Sequence, residues 1–199
     1  QALEETGRYR VVLTRDRDLF IPLRDRIAVA RKSNAELFLS IHADSIRDRN
    51  VRGLSVYTLS ENASDKEAAE IAQRENKADL IAGIDLSGET AEVTNILIDL
   101  AQRETMNQSA EFAARLVREL GRETRMLRNT HRFAGFVVLK APDVPSVLVE
   151  LGFLSNGKDE AALKKPQYRA TLVRAIVRAV EGYFARIEEA SRPNLRSGE

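Results

Sequence analysis

The chain has 199 residues, enough for one domain with a sizeable core, and its 43% hydrophobic content is that of a globular protein. With 31 basic against 30 acidic residues the net charge is +1, so no general polyanion-binding surface is indicated and nucleic acid is not an expected partner. The absence of cysteine excludes disulfides, thiolate zinc sites, iron–sulfur ligation and a cysteine nucleophile, and two histidines cannot make a three-histidine metal site. No run approaches the roughly 18 apolar residues of a membrane span, and the first residues do not resemble a signal peptide.

In chain order, residues 1–6 read as the last turns of a helix stopped by Gly7. Residues 8–15 (RYRVVLTR) read as a strand, and the spacing of Leu23, Ile27 and Ala30 predicts a helix over 22–32. Strands are expected at 36–42 (ELFLSIH) and 53–59 (GLSVYTL). Ser64, with Glu67 three residues on, predicts a capped helix to about residue 82. A long helical pattern covers about 91–120 and ends at Gly121. Two more strands, 136–140 (FVVLK) and 146–151 (SVLVEL), flank a proline-containing turn. Pro166 opens a last amphipathic helix with Leu172, Ile176, Ala179, Tyr183 and Ile187 on one face, and the tail 191–199 is expected to fray. Such alternation predicts an α/β domain with a mixed, mainly parallel sheet flanked by helices, in which ligands bind beyond the carboxyl ends of strands.

Two polar residues stand at such ends. His42 closes an apolar strand, sharing a face with Phe38 and Ser40; it can merely cap and hydrogen-bond there, or bind a metal. Glu150 closes a second strand apolar enough to be buried, and must be exposed, protonated or near a cation. Together they suggest a metal ligand and a carboxylate base at one sheet edge. Glu75 and Asp79 interrupt the apolar stripe of Ala68, Ile71, Ala72 and Ala78; this is either a helix edge meeting water or a face docked on something positive. His131, in the polar run 128–132, reads as a surface loop residue. There is no G-x-G-x-x-G, P-loop, G-x-S-x-G or H-E-x-x-H.

The stretch LTRDRDLFIPLRDRIAVARKSNAELFLSIHADS, with Arg15, Asp18, Leu23, Arg26 and the run Ser40-Ile41-His42-Ala43-Asp44, resembles zinc-dependent N-acetylmuramoyl-L-alanine amidases of the amidase_3 type. FVVLKAPDVPSVLVELGFLSN, ending at Asn156, resembles the same family's C-terminal signature. The resemblance implies hydrolysis of the amide between N-acetylmuramic acid and the L-alanine of the peptidoglycan stem peptide. It makes His42 a zinc ligand and Glu150 the catalytic glutamate, while His131 matches no ligand. The family's first strand carries a further zinc histidine, and a glutamate ligand follows it. Neither is in this sequence, so residues 1–190 read as the catalytic domain without that strand, its remaining ligands expected upstream of Gln1.

The helical block at about 60–105 resembles the inserted regulatory segment of the subgroup acting in cell division. There, a helix covers the zinc until an activator with a LytM-type domain releases it. AEIAQRENKADLIAGID resembles that helix, which makes Glu75 the candidate carboxylate in the zinc's open position. Val93, Ile96, Leu97 and Leu100 would form an apolar face beyond it. An exported, periplasmic or cell-envelope location follows from the same resemblance. The rival reading is an incomplete amidase-like module that binds peptidoglycan or a division partner without cutting.

Overall fold

The computed structural model describes residues 1–78 and 96–191, the side chains of 96–101 excepted. Asp79, the apolar set from Val93 to Leu100 and the tail beyond Ser191 therefore lie outside what is described. Four strands form one sheet: β1 (Phe38–His42), β2 (Leu54–Leu59), β3 (Met126–Ala134) and β4 (Ser146–Glu150), in the order β1-β4-β2-β3. β1 runs parallel to β4 and β2 parallel to β3, while the central β2–β4 pair is antiparallel. The expected mixed, mainly parallel sheet is thus present.

Helices cover both faces, as strands buried on two sides require. On one face α3 (Ile96–Gly121) and α5 (Pro166–Ser191) bring Phe112, Leu116, Leu172, Ala175, Ala179 and Tyr183 onto Leu54, Val56, Val147 and Val149. On the other, α1 (Leu23–Lys32) and α2 (Lys66–Asn76) set Leu23, Ala68, Ile71 and Ala72 against Tyr57, Phe136, Leu148 and Phe153. A short helix, α4 (Gly157–Leu163), follows β4 and is capped by Asn156, whose side chain accepts from the backbone N–H groups of Lys158 and Asp159. Ile187, expected on the inner face of the last helix, is 38% exposed.

Four expectations need correction. Residues 8–15 form no strand: they are irregular, and Val12 and Leu13 are exposed. A strand needs a partner edge, and a cleft of about 960 Å³ separates this segment from β1. Residues 136–140 are not a strand either; Val137–Leu139 form a 3-10 turn that buries Val138 and Leu139 without a ladder. The strand on that side is β3, and His131 lies in it rather than in a surface loop, its Nε2 3.0 Å from Thr58 Oγ1. The α2 cap is Asp65, not Ser64: the Asp65 carboxylate accepts from the Ala68 N–H, and Ser64 donates to Asp65 instead. Glu67 turns to Arg132 at 2.8 Å instead of reaching back to a capping residue.

Candidate metal centre

The β1–β4 register pairs His42 with Glu150, and β2 sets Ser55 opposite Glu150 from the other side. Both strand-end residues therefore meet at one end of the sheet. The loops beyond them are tied together: Leu151 N–H donates to His42 O at 2.9 Å, and Leu154 N–H to Asp44 O at 2.7 Å. Asp44 N–H donates to Glu150 Oε2 at 3.1 Å, which fixes the catalytic candidate's carboxylate against the β1 end. After Glu150 the chain turns through Gly152 at φ 127°, where an added Cβ would lie 3.1 Å from the Asp159 carboxylate. That carboxylate accepts from Gly53 N–H and Phe153 N–H, joining the start of β2 to the loop after β4.

Glu150 is fully buried and its Oε1 has no hydrogen-bond partner among the described residues. Burial, then the neighbouring Asp44 carboxylate, raises its pKa well above the ordinary carboxylate value. A glutamate held in this way is poised to take and return a proton.

Glu75, in the last turn of α2, reaches the same place. Its Oε2 lies 3.5 Å from His42 Nδ1, and Asp44 Oδ1 lies 3.6 Å from the same nitrogen. Burial raises the Glu75 pKa, and the neighbouring His42 opposes that shift. The alternative of a solvated helix edge therefore does not describe Glu75, whose side chain is 19% exposed. Its helix is held at both ends. Arg132, buried in β3, binds Asp65 and Glu67 at the start, while Asn76 Nδ2 donates to Gly135 O and Asn76 Oδ1 accepts from Val137 N–H. Arg74 also donates to Ser45 O.

Donor atoms of His42, Asp44 and Glu75 lie within 4.8 Å of one another. Tetrahedral ligands about 2.0–2.1 Å from a zinc ion sit about 3.4 Å apart, so both Nδ1-to-carboxylate spacings suit such an ion. A nitrogen and two carboxylate oxygens also form a donor set that zinc accepts. His131 is not among these residues. Two contributors went unassigned from the sequence: Asp44, and Ser40, whose Oγ is 2.9 Å from His42 Nε2. The signal was present, since both stand two residues from His42.

An N-acetylmuramoyl-L-alanine amidase family model, Amidase_3, matches residues 1–182, and the chain belongs to that family. It is 39% identical over 184 residues to the N-acetylmuramoyl-L-alanine amidase AmiC of Escherichia coli O6:H1, covering 92% of this chain and 44% of the relative. It is also 39% identical over 174 residues to AmiA of Escherichia coli K12, covering 86% and 60%. The chain thus spans about half the length of these curated relatives. Among solved structures, AmiC2 of Nostoc punctiforme superposes with a TM-score of 0.59 at 24% identity, covering 92% of this chain and 77% of that one. Ami1 of Mycobacterium smegmatis superposes at 0.62 and 21%, covering 92% and 70%. These structural likenesses establish the fold.

Proposed function

We propose that the protein is a zinc-dependent peptidoglycan hydrolase cleaving the amide between N-acetylmuramic acid and L-alanine, held inactive by α2. The carrying observation is the meeting of His42 and Glu150 at paired strand ends with Glu75 against the same imidazole. Family membership and the amidase relatives support the reaction class.

His42 would hold the metal. Bound zinc would polarise the scissile carbonyl and lower the pKa of a coordinated water to about 7. Glu150, oriented by the Asp44 N–H, takes the proton of the attacking water and returns it to the leaving L-alanine nitrogen. Its raised pKa suits both steps, because a stronger base accepts the proton more readily and the resulting acid still gives it up. Glu75, against the same imidazole, would fill a donor position on such a metal and so keep water and substrate from the resting site.

The cleft beside β1 is lined by Ser40, His42, Asp44 and Glu75, which leaves room beside the site for further ligands.

In this reading 60–105 is an inserted regulatory segment, and an activator with a LytM-type domain releases Glu75. The protein works in the periplasm or cell envelope during daughter-cell separation. No described helix is long and apolar enough to cross a membrane. In the full-length protein, Glu150→Gln is expected to keep zinc and lose about 10²–10⁴ in rate. His42→Ala is expected to lose metal and activity together. Near-wild-type release of stem peptides by Glu150→Gln, or undiminished zinc in His42→Ala by elemental analysis, overturns the assignment. Retention of peptidoglycan by a metal-free, non-cutting protein would instead support the binding-module reading.

A further inference from the structure

The two ring nitrogens of His42 face different surroundings. Nδ1 is turned to the carboxylates of Asp44 and Glu75, whereas Nε2 lies 2.9 Å from Ser40 Oγ. Ser40 and His42 are two residues apart on β1 and so project from the same face. Ser40 is 8% exposed and the His42 side chain 11%, so the contact is formed largely away from solvent.

We propose that Ser40 is a positioning residue for the metal site: its hydroxyl accepts the Nε2–H of His42 and leaves the Nδ1 lone pair directed at the cation. The inference rests on the metal reading above and adds which nitrogen binds and what holds the ring. A neutral imidazole carries one proton, and a cation on one nitrogen requires that proton on the other. With a cation held on Nδ1 among the carboxylates, the proton sits on Nε2 and Ser40 Oγ is positioned to accept it. The hydrogen bond sets the ring's rotation about its strand-end Cβ as well as its tautomer. Partners of this kind at metal-binding histidines typically change metal affinity by 10–100-fold.

The chain contains two histidines, so its imidazole ¹⁵N spectrum has two rings to assign, and His131→Ala leaves one. Zinc titrated into the 199-residue chain to millimolar concentration is expected to move the His42 Nδ1 resonance while Nε2 keeps its proton. Ser40→Ala is expected to weaken zinc binding 10–100-fold with an unchanged thermal melt, and Ser40→Thr to restore it. Coordination through Nε2, or equal affinity in Ser40→Ala, overturns the role of Ser40 and leaves the metal reading standing. Zinc that moves neither histidine resonance here, together with no zinc in the full-length protein by elemental analysis, removes the metal reading, and this inference with it.

Discussion

Removing the charge of Glu150 is expected to stabilise the metal-free fold while it slows catalysis by about 10²–10⁴. The carboxylate is fully buried, receives one hydrogen bond from Asp44 N–H, leaves Oε1 unpartnered and has the Asp44 and Glu75 carboxylates as neighbours. Glu150→Gln keeps the shape and an acceptor for Asp44 N–H, and gives the Asp44 carboxylate an amide donor in place of a like charge. Relief of an uncompensated buried polar group is worth about 1–3 kcal/mol. At about 2–4 °C per kcal/mol for a chain of this size, the melting temperature should rise by about 2–12 °C at pH 7.5 with a chelator present. The pH dependence has a definite sign. The folded state raises the pKa of Glu150, so it binds the proton more tightly than the unfolded chain does. Wild-type stability from this group is therefore fully present below the unfolded value of 4.5 and declines as pH rises through the folded pKa. The variant's advantage should vanish toward pH 4.5 and grow above it, and added zinc should shrink it by supplying a positive neighbour. Calorimetric melts of both proteins from pH 4.5 to 8 measure this. A variant less stable than wild type at neutral pH, or a difference independent of pH, would refute the reasoning.

Glu75→Ala should raise basal stem-peptide release without activator and reduce the further gain on adding one, by about tenfold for each 1.4 kcal/mol of closure lost; basal rate and activation both equal to wild type would make Glu75 a bystander. Asn76→Ala deletes the hydrogen bonds to Gly135 O and Val137 N–H, so amides in the last turn of α2 should exchange faster and basal activity should rise, with Ile71 and the helix body still packed. Gly152→Ala forces a side chain into a left-handed backbone against the Asp159 carboxylate, and should cost about 1–3 kcal/mol in a denaturant melt.

The strand-end positions of His42 and Glu150 were legible because each closes an apolar run. Their meeting at one sheet edge was expected from those positions, but the β1–β4 pairing that places them side by side spans more than a hundred residues and left no sequence signal. β3 escaped detection because Arg128-Asn129-Thr130-His131-Arg132 reads as polar surface. Arg132 is nevertheless buried, its charge matched by Asp65 and Glu67 from α2, and a long-range ion pair leaves no periodic trace. Conversely, 136–140 is apolar enough for a strand, but short apolar runs do not distinguish a strand from a buried turn, and Asn76 ties Val137 into the latter. The misreading at 8–15 has another cause: its alternating Val11 and Leu13 suit a sheet, but no described strand borders it. Glu75 was visible as a break in an apolar stripe; its partner, His42 Nδ1, was visible only in three dimensions.

The most direct test of the central claim is mass spectrometry of the products released from purified peptidoglycan by the full-length protein, with zinc and with α2 released by activator or by Glu75→Ala. Free stem peptides beginning at L-alanine, together with peptide-free glycan, are the predicted products, and Glu150→Gln should form them about 10²–10⁴ times more slowly. Fragments cut within the glycan or the peptide, or the same products from Glu150→Gln at wild-type rate, would contradict the account.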